Sequence, residues 1–426
     1  MPFRFVHTAD LHLDSPLRSL ALRNEELAGI VRGATRNALV RIVDLCIAEG
    51  VDALLIAGDL YDGNQTSMNT ALFLAGELRR LDEAGIRTFI IRGNHDAQSQ
   101  VTRELTLPPS VHVFPGRGKP VVAKILENGR SVHIHGMSFS DPHAPESLLP
   151  HFHPPVADAI NVGMLHTSLA GSAGHDPYAP CSVADLRAHG YDYWALGHVH
   201  QRQVHSESPC IVMPGMPQGR DINESGVKGV TIVMIDDDGE VTLEERPVGA
   251  AVFERVSIDL TGTADWRDML ETVGRQLALL RKSQPEADLI LRITLTGATP
   301  LSWRLRRDFD LLQGELENIA AGQGRCWVEK VETLFAGCSK HAGRVAADPI
   351  GELTALVENE VLSAFAFRAD MRAVAEELLP HLPAELRNLL AADEEGLDDL
   401  VENAALSGSA DVLSHLHGRS AIDGID

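Results

Sequence analysis

The chain has little that could hold it together covalently or anchor it in a membrane. Its five cysteines (Cys46, Cys181, Cys210, Cys326 and Cys338) are odd in number, scattered, and never paired as CxxC. That argues against a disulfide framework or a zinc ribbon and for reduced thiols in a cytoplasm. No apolar run approaches the roughly 20 residues of a membrane helix, and the opening residues lack a signal peptide's charged-then-apolar pattern. A soluble cytoplasmic protein without a membrane partner is therefore expected. A Walker-type phosphate loop and internal repeats are also missing. Basic charge is scarce, with 37 Lys/Arg against 60 Asp/Glu and a formal net charge of −23. Such an acidic balance argues against direct nucleic-acid binding by the protein as a whole. The excess is uneven, since residues 348–426 hold 17 acids and 4 bases. A pair of divalent ions would offset part of the remainder at an active face.

A length of 426 residues exceeds one ordinary core, so two or three domains are expected. Residues 3–8, 53–57 and 87–91 read as buried strands, with amphipathic helices over 24–48 and 67–83 between them. This β-α-β-α-β run predicts a parallel sheet with right-handed crossovers. Short strands follow between Val111 and Met137, then apolar strands at 160–165 and 191–196. A hairpin over 229–247 turns at DDDG. Residues 1–250 form the first expected domain. A small α/β unit over 251–336 follows, read as strand, helix, strand, helix and strand, with one helix spanning 302–320. Residues 337–347 lack periodicity and read as a linker. Residues 348–426 form an acidic helical tail, with Leu353, Leu356, Val357, Leu362 and Phe365 as an apolar stripe.

Function concentrates at strand ends. Residues 53–62 read ALLIAGDLYD, an apolar run stopped by Gly58-Asp59. Four other apolar runs end in the same kind of chemistry: Asp10-x-His12, Gly93-Asn94-His95-Asp96, His166, and Gly197-His198-x-His200. In open α/β sheets, ligands bind outside the carboxyl ends of the strands. One polar strand end is ordinary turn chemistry; five together are not. Imidazoles mixed with oxygen ligands, and no thiolate, suit Mn²⁺, Fe²⁺ or Zn²⁺. Paired ions about 3.5–4 Å apart recur in phosphate hydrolysis, and a bridging carboxylate is needed to hold them so close.

These residues are the motif set of the calcineurin-like metallophosphoesterases: DxH, GD, GNHD, H and GHxH, all in order. The opening FRFVHTADLHLDSPL resembles the SbcD-type DNA repair exonucleases, and most of all their YhaO-like branch. The resemblance implies a metallophosphoesterase core of layered sheets flanked by helices, a small α/β capping domain over 251–336, and a helical C-terminal tail. It further implies one metal held by Asp10, His12, Asp59 and His200. The second would be held by Asp59, Asn94, His166 and His198, with two ions, Mn²⁺ first among the choices. His95 would stabilise developing charge or protonate the leaving oxygen, with Asp96 orienting its ring.

Asp62 reads equally as a turn residue or as a polar group touching substrate. Arg18, Arg23, Arg103, Arg117, Lys119, Arg202 and Arg220 are candidate phosphate contacts, although they form no compact cluster. His7, His133 and His135 lie in strands and are expected to pack, while His151 and His153 flank Phe152 in a Pro-rich loop facing solvent. Protein phosphatases of this superfamily carry an arginine directly after the second aspartate of GDxVDRG. Here Asp62 is followed by Gly63, so that reading is disfavoured. The expectation is a two-metal DNA exo- or endonuclease in DNA repair. By resemblance it would act as a homodimer with an SbcC-like coiled-coil ATPase gripped by the tail. The alternatives are a small-molecule phosphodiesterase and a scaffold subunit with a vestigial site.

Overall fold

The computed structural model describes residues 2–15, 25–62, 67–96, 106–139, 144–169, 178–335, 349–383, 386–387 and 390–420. The expected linker over 337–347 lies outside the described residues, as do Arg18, Arg23 and Arg103. The chain forms two compact units. One comprises Met1–Arg255, Gln284–Leu291 and Arg325–Glu329, and the other Val256–Ser283, Arg292–Gly324 and Lys330–Asp426.

The first unit opens with β1 (Phe3–Thr8), α1 (Glu25–Glu49), β2 (Ala53–Ala57), α2 (Met68–Glu83) and β3 (Arg87–Ile91). The start of α2 is fixed by Ser67, whose hydroxyl accepts the Thr70 N–H at 3.1 Å, one of the donors a helix end leaves unpaired. Next come β4 (Val111–Val113), β5 (Val121–Ile125), β6 (Ser131–Gly136), β7 (Ile160–His166), α3 (Val183–His189) and β8 (Tyr193–Gly197). A reciprocal Ser182–Asp185 capping box opens α3, and Gly190 closes it at φ 86°. Four strands complete the unit's main sheets: β9 (Gln203–Glu207), β10 (Cys210–Met213), β11 (Gly229–Ile235) and β12 (Val241–Pro247).

These strands make two mixed sheets, the layered arrangement the resemblance implied, and the β-α-β-α-β run supplies the parallel strands β1 to β3 of one of them. Their orders are β12-β11-β1-β2-β3-β4 and β5-β6-β7-β8-β10-β9. Strands β1 to β4 are mutually parallel, as are β6, β7, β8 and β10, while the remaining partners run antiparallel. Side-chain alternation explains the layering. Phe3, Phe5, Ala53, Leu55 and Ala57 meet Ile160, Val162, Met164, Tyr193 and Ala195 in a core between the sheets. The opposite faces, with Val6, Leu54 and Ile56, or with Leu165, Trp194 and Leu196, pack with helix residues such as Leu39 and Leu186. Buried on both sides, these strands show unbroken apolar runs, which carry no record of the sheet they join. The β9–β10 hairpin escaped the sequence reading because β9 is a polar, largely exposed edge (QVHSE).

The histidines expected to pack do so. His7 is buried between the Tyr193 hydroxyl (2.9 Å) and the Leu196 carbonyl (3.0 Å). Burial lowers its pKa to about 3. His135 bonds Asn161 and the Tyr191 hydroxyl at 2.9 and 2.8 Å, and His133 meets Ser131 at 2.9 Å.

Beyond residue 250, β13 (Ala251–Asp259), β14 (Asp288–Gly297) and β15 (Cys326–Phe335) form a three-stranded sheet in that order. They are accompanied by α4 (Trp266–Ser283), α5 (Ser302–Arg307) and α6 (Phe309–Gly322). The helix expected over 302–320 is thus two, parted at Asp308, whose ψ of 37° leaves the helical region. In the tail, α7 (Pro349–Leu356) widens through Val357–Val361, α8 covers Phe365–Leu378, and α9 covers Glu394–Ser420. The expected apolar stripe is therefore interrupted before Phe365, which is 89% exposed. Within this second unit α9 packs on α5 and α8. No helix among the described residues is long and apolar enough to cross a membrane.

One close approach makes the fold testable. A Cβ on Gly163 would lie 2.5 Å from the Trp194 ring and 2.7 Å from that of Tyr191. Overpacking of this kind typically costs about 1–3 kcal/mol. Gly163→Ala is expected to lower the urea midpoint accordingly with an unchanged m-value, and an unchanged midpoint contradicts the packing described.

Candidate metal centre

The carboxyl ends of β1, β2 and β3 from one sheet meet those of β7 and β8 from the other. There the chain leaves ordinary backbone space. Asp10, His12, Asp59 and His198 all have positive φ (54°, 42°, 52° and 103°), a conformation that costs energy for residues with a side chain. Three glycines make the convergence feasible. A Cβ at Gly93 would lie 2.1 Å from Asp59 Oδ1, one at Gly58 2.3 Å from His166 Nδ1, and one at Gly197 2.0 Å from the Ala57 carbonyl. Each glycine that precedes a polar strand end is therefore required by the site itself, beyond its role in turning the chain.

Two donor groups result. Asp10, His12 and His200 form one, and Asp59, His166 and His198 the other; within each, candidate ligand atoms lie within 4.8 Å of one another. His12 Nε2 faces His200 Nε2 at 3.2 Å. Asp59 Oδ2 joins the groups, at 3.4 Å from His166 Nε2 and 3.9 Å from His12 Nε2. The Asn94 side-chain oxygen lies 3.0 Å from His166 Nε2. All seven residues expected as ligands thus come together.

Their outer contacts decide which atoms face inward. His166 Nδ1 donates to the Ala57 carbonyl (2.9 Å) and His200 Nδ1 to Glu224 Oε1 (2.8 Å). With the proton on Nδ1, each ring offers its Nε2 lone pair to the centre, the arrangement typical of metal-binding histidines. Asp10 accepts the His198 backbone N–H (3.0 Å), and Asp59 Oδ1 that of His95 (3.1 Å).

Electrostatics favours a cation at the centre. Burial pushes the Asp10 carboxyl up to about 6 and the His12 imidazole down to about 3, so this corner resists charge on its own side chains. Burial also opposes charge on His166, yet nearby Asp59 outweighs it and lifts that ring to about 9, so without an ion the carboxylate draws a proton onto the Nε2 that a bound cation would occupy instead. Acceptors pointing at one another across about 3 Å, in a site where isolated charge is costly, are what a bound divalent cation would satisfy. The mixed imidazole, carboxylate and amide donors fit an ion pair.

The surroundings revise two expectations. Asp96 does not orient His95. Wholly buried, it accepts the backbone N–H groups of Leu60 (3.0 Å), Tyr61 (3.1 Å) and Gly93 (3.3 Å), tying the two glycine loops together. The carboxylate beside the ring is Asp62, whose Oδ1 lies 3.2 Å from His95 Nδ1 and whose Oδ2 accepts the Ser15 hydroxyl at 2.6 Å. Arg202 is ion-paired with Glu245 at 3.6 Å and not with any residue of the centre.

Sequence reasoning missed Glu224 altogether. It binds His200 and takes a fork from Arg220, Nη2 to Oε1 at 2.7 Å and Nε to Oε2 at 3.2 Å. Although burial works against it, the bonds from His200 and Arg220 hold Glu224 well below the usual carboxylate range. Only the need of His200 Nδ1 for an acceptor could have pointed to it.

With this geometry in hand, comparison with known proteins identifies the class. Residues 3–202 match the calcineurin-like phosphoesterase family, and residues 253–335 match the middle domain of metallophosphoesterase YhaO. The uncharacterized metallophosphoesterase YhaO of Bacillus subtilis is 33% identical over 314 residues, covering 74% of this chain and 76% of that protein. The chain belongs to the YhaO-type metallophosphoesterases. More distantly, the DNA double-strand break repair protein Mre11 of Sulfurisphaera tokodaii is 26% identical over 206 residues. That match covers 47% of this chain and 50% of the Mre11 protein, about half the length of each. A dimetal phosphatase from Danio rerio aligns over 58% of this chain and 97% of its own at 13% identity with a TM-score of 0.37, a likeness from which nothing further is drawn.

Two substitutions separate the bridge from its support. Asp59→Ala is expected to lose both metal equivalents by elemental analysis. Glu224→Gln should keep the fold and lower metal affinity by about 10–100-fold. Full metal occupancy in a dialysed Asp59→Ala protein contradicts the bridging role.

Proposed function

We propose that the protein is a two-metal phosphodiesterase acting on DNA. The observation that carries this reading is the pair of donor groups joined through Asp59 Oδ2, with His95 at their edge. When bound, the ions supply Lewis-acid polarisation of the phosphate and lower the pKa of an attacking water.

The chain's own side chains supply the rest. Asp59, through Oδ1, holds the His95 backbone N–H at 3.1 Å, which fixes where that residue starts. Asp62 holds Nδ1 of the ring, so Nε2 is the nitrogen left for substrate. The ring is 40% exposed, unlike His12 and His166 at 1% and 0%. That exposure, with no place in either donor group, fits a group meeting substrate. His95 then stabilises charge developing on the phosphate or gives a proton to the leaving oxygen, and Asp62 fixes its orientation.

DNA is the substrate suggested by the similarity to Mre11 proteins and by the SbcD-type opening sequence. We read residues 253–335 as a cap that shapes access for a polymer. The acidic tail we read as docking an SbcC-like ATPase in the cytoplasm, within a homodimer, so that DNA affinity comes largely from the partner. Mn²⁺ is the proposed ion.

A nuclease assay with Mn²⁺, with and without an SbcC-like partner, tests this reading on blunt duplex, single-strand and cyclic-nucleotide substrates. DNA cleavage is expected. Cleavage of the cyclic nucleotide alone would assign the small-molecule activity instead, and no hydrolysis of any substrate would leave a scaffold. His95→Ala is expected to retain both metal equivalents and lose about 10²–10⁴ in kcat. Full activity in the metal-loaded variant removes His95 from the mechanism.

A further inference from the structure

In protein phosphatases of this superfamily a phosphate-clamping arginine follows the second aspartate of the GDxVDRG motif, where this chain has Gly63. A different arginine reaches the same aspartate from far along the chain. Arg220, in the loop between β10 and β11, places Nη1 3.7 Å from Asp62 Oδ2. Its other edge is fully committed. Nε and Nη2 fork onto Glu224 at 3.2 and 2.7 Å, and its backbone N–H binds the same carboxylate at 2.8 Å. Fixing that edge fixes the plane of the guanidinium, because the group is rigid. Among the described residues Nη1 makes no hydrogen bond, and its ion pair with Asp62 Oδ2 is held only at 3.7 Å.

An arginine needed only to balance Glu224 would require no such open edge. Glu224 already binds His200 Nδ1 at 2.8 Å, so the carboxylate has a partner before the guanidinium arrives. The arginine is also 24% exposed, close to Asp62 and hence to the His95 ring that Asp62 contacts. A planar cation with one pinned edge and one open edge is suited to an anionic oxygen.

We propose that Arg220 is a phosphate-binding residue of this centre, its Nη1 donating to a non-bridging oxygen of the substrate phosphate next to His95. The inference rests on the two-metal reading above and deepens it. The fork to Glu224 gives the same arginine a second contact, toward the ligand His200. Phosphate capture and ligand orientation thereby share one side chain.

The test is titration of Mn²⁺-loaded protein with inorganic phosphate by calorimetry, alongside metal analysis and hydrolysis of bis(p-nitrophenyl) phosphate. Arg220→Gln is expected to weaken phosphate binding by about 10–100-fold, as loss of a charge-assisted bond does, while retaining both metal equivalents. KM for the diester should rise more than kcat falls. Phosphate affinity equal to wild type overturns the inference. So does loss of a metal equivalent in step with phosphate affinity, since the arginine would then act only through Glu224 and His200. Should the glutamine variant not fold, Arg220→Lys serves, with a weakening of about 3–10-fold expected because an ammonium cannot hold the fork and reach outward together; unchanged affinity there overturns the inference too. Wild-type protein that binds no metal pair, or hydrolyses no phosphodiester, removes the two-metal reading and this inference with it. An active wild type with an indifferent variant removes the inference alone.

Discussion

Burying the carboxylate of Asp59 is the constraint on which the rest of the centre depends. Asp59 is 2% exposed, and an isolated carboxylate so placed is very costly without partners. The fold supplies them from every side: the His95 backbone N–H, the His166 imidazole, and the His12 ring slightly farther off. Even so, the donors around it are mostly acceptors facing one another, which leaves the charge balance to cations. The glycines follow from the same demand. With any side chain at Gly58 or Gly93, the two glycine loops could not close on the carboxylate and the His166 ring. Asp96 then ties those loops by their backbone N–H groups, and burial pushes its own carboxyl up to about 7. Positive φ at four of the polar residues is strain that this network holds in place.

Much of this centre was legible in the sequence because each ligand follows an apolar run. A strand that ends in Gly-Asp or Gly-His announces both its burial and the place where burial stops. The division of those strands between two sheets was not legible, because a run buried on both faces has no pattern pointing to its neighbour. The site is consequently a junction of two sheets, and its ligands arrive from opposing layers of one core. The helices α1 and α2 could be read to within a residue or so, since their apolar spacing is regular and Ser67 marks a start. The tail is helical as expected, but the break before Phe365 could not be read, because no Gly or Pro gives warning there.

Residues that support the ligands follow a different logic. Glu224 and Arg220 come from the irregular stretch between β10 and β11, several residues past the end of the apolar run, so periodicity says nothing about them. The exchange of roles between Asp96 and Asp62 has the same origin. Asp96 is the chain neighbour of His95, yet its side chain turns inward to backbone donors. Asp62 lies on another strand's exit and reaches the ring through space. Adjacency in sequence is a weak guide wherever the backbone reverses direction within one or two residues.

The acidic balance of the protein is compatible with a phosphate substrate once range is considered. At physiological salt the Debye length is about 8 Å, so charges beyond it act weakly on a bound anion. What governs phosphate capture is the charge inside that radius. There the acids are engaged: Asp10 binds the His198 N–H, Asp62 the Ser15 hydroxyl, and Glu224 a histidine and an arginine. A divalent pair would neutralise the buried carboxylates, leaving the open edge of Arg220 to favour an anion. Net charge therefore bears on long-range encounter and on partners, and affinity at the centre is set by a handful of side chains within one Debye length of Asp59.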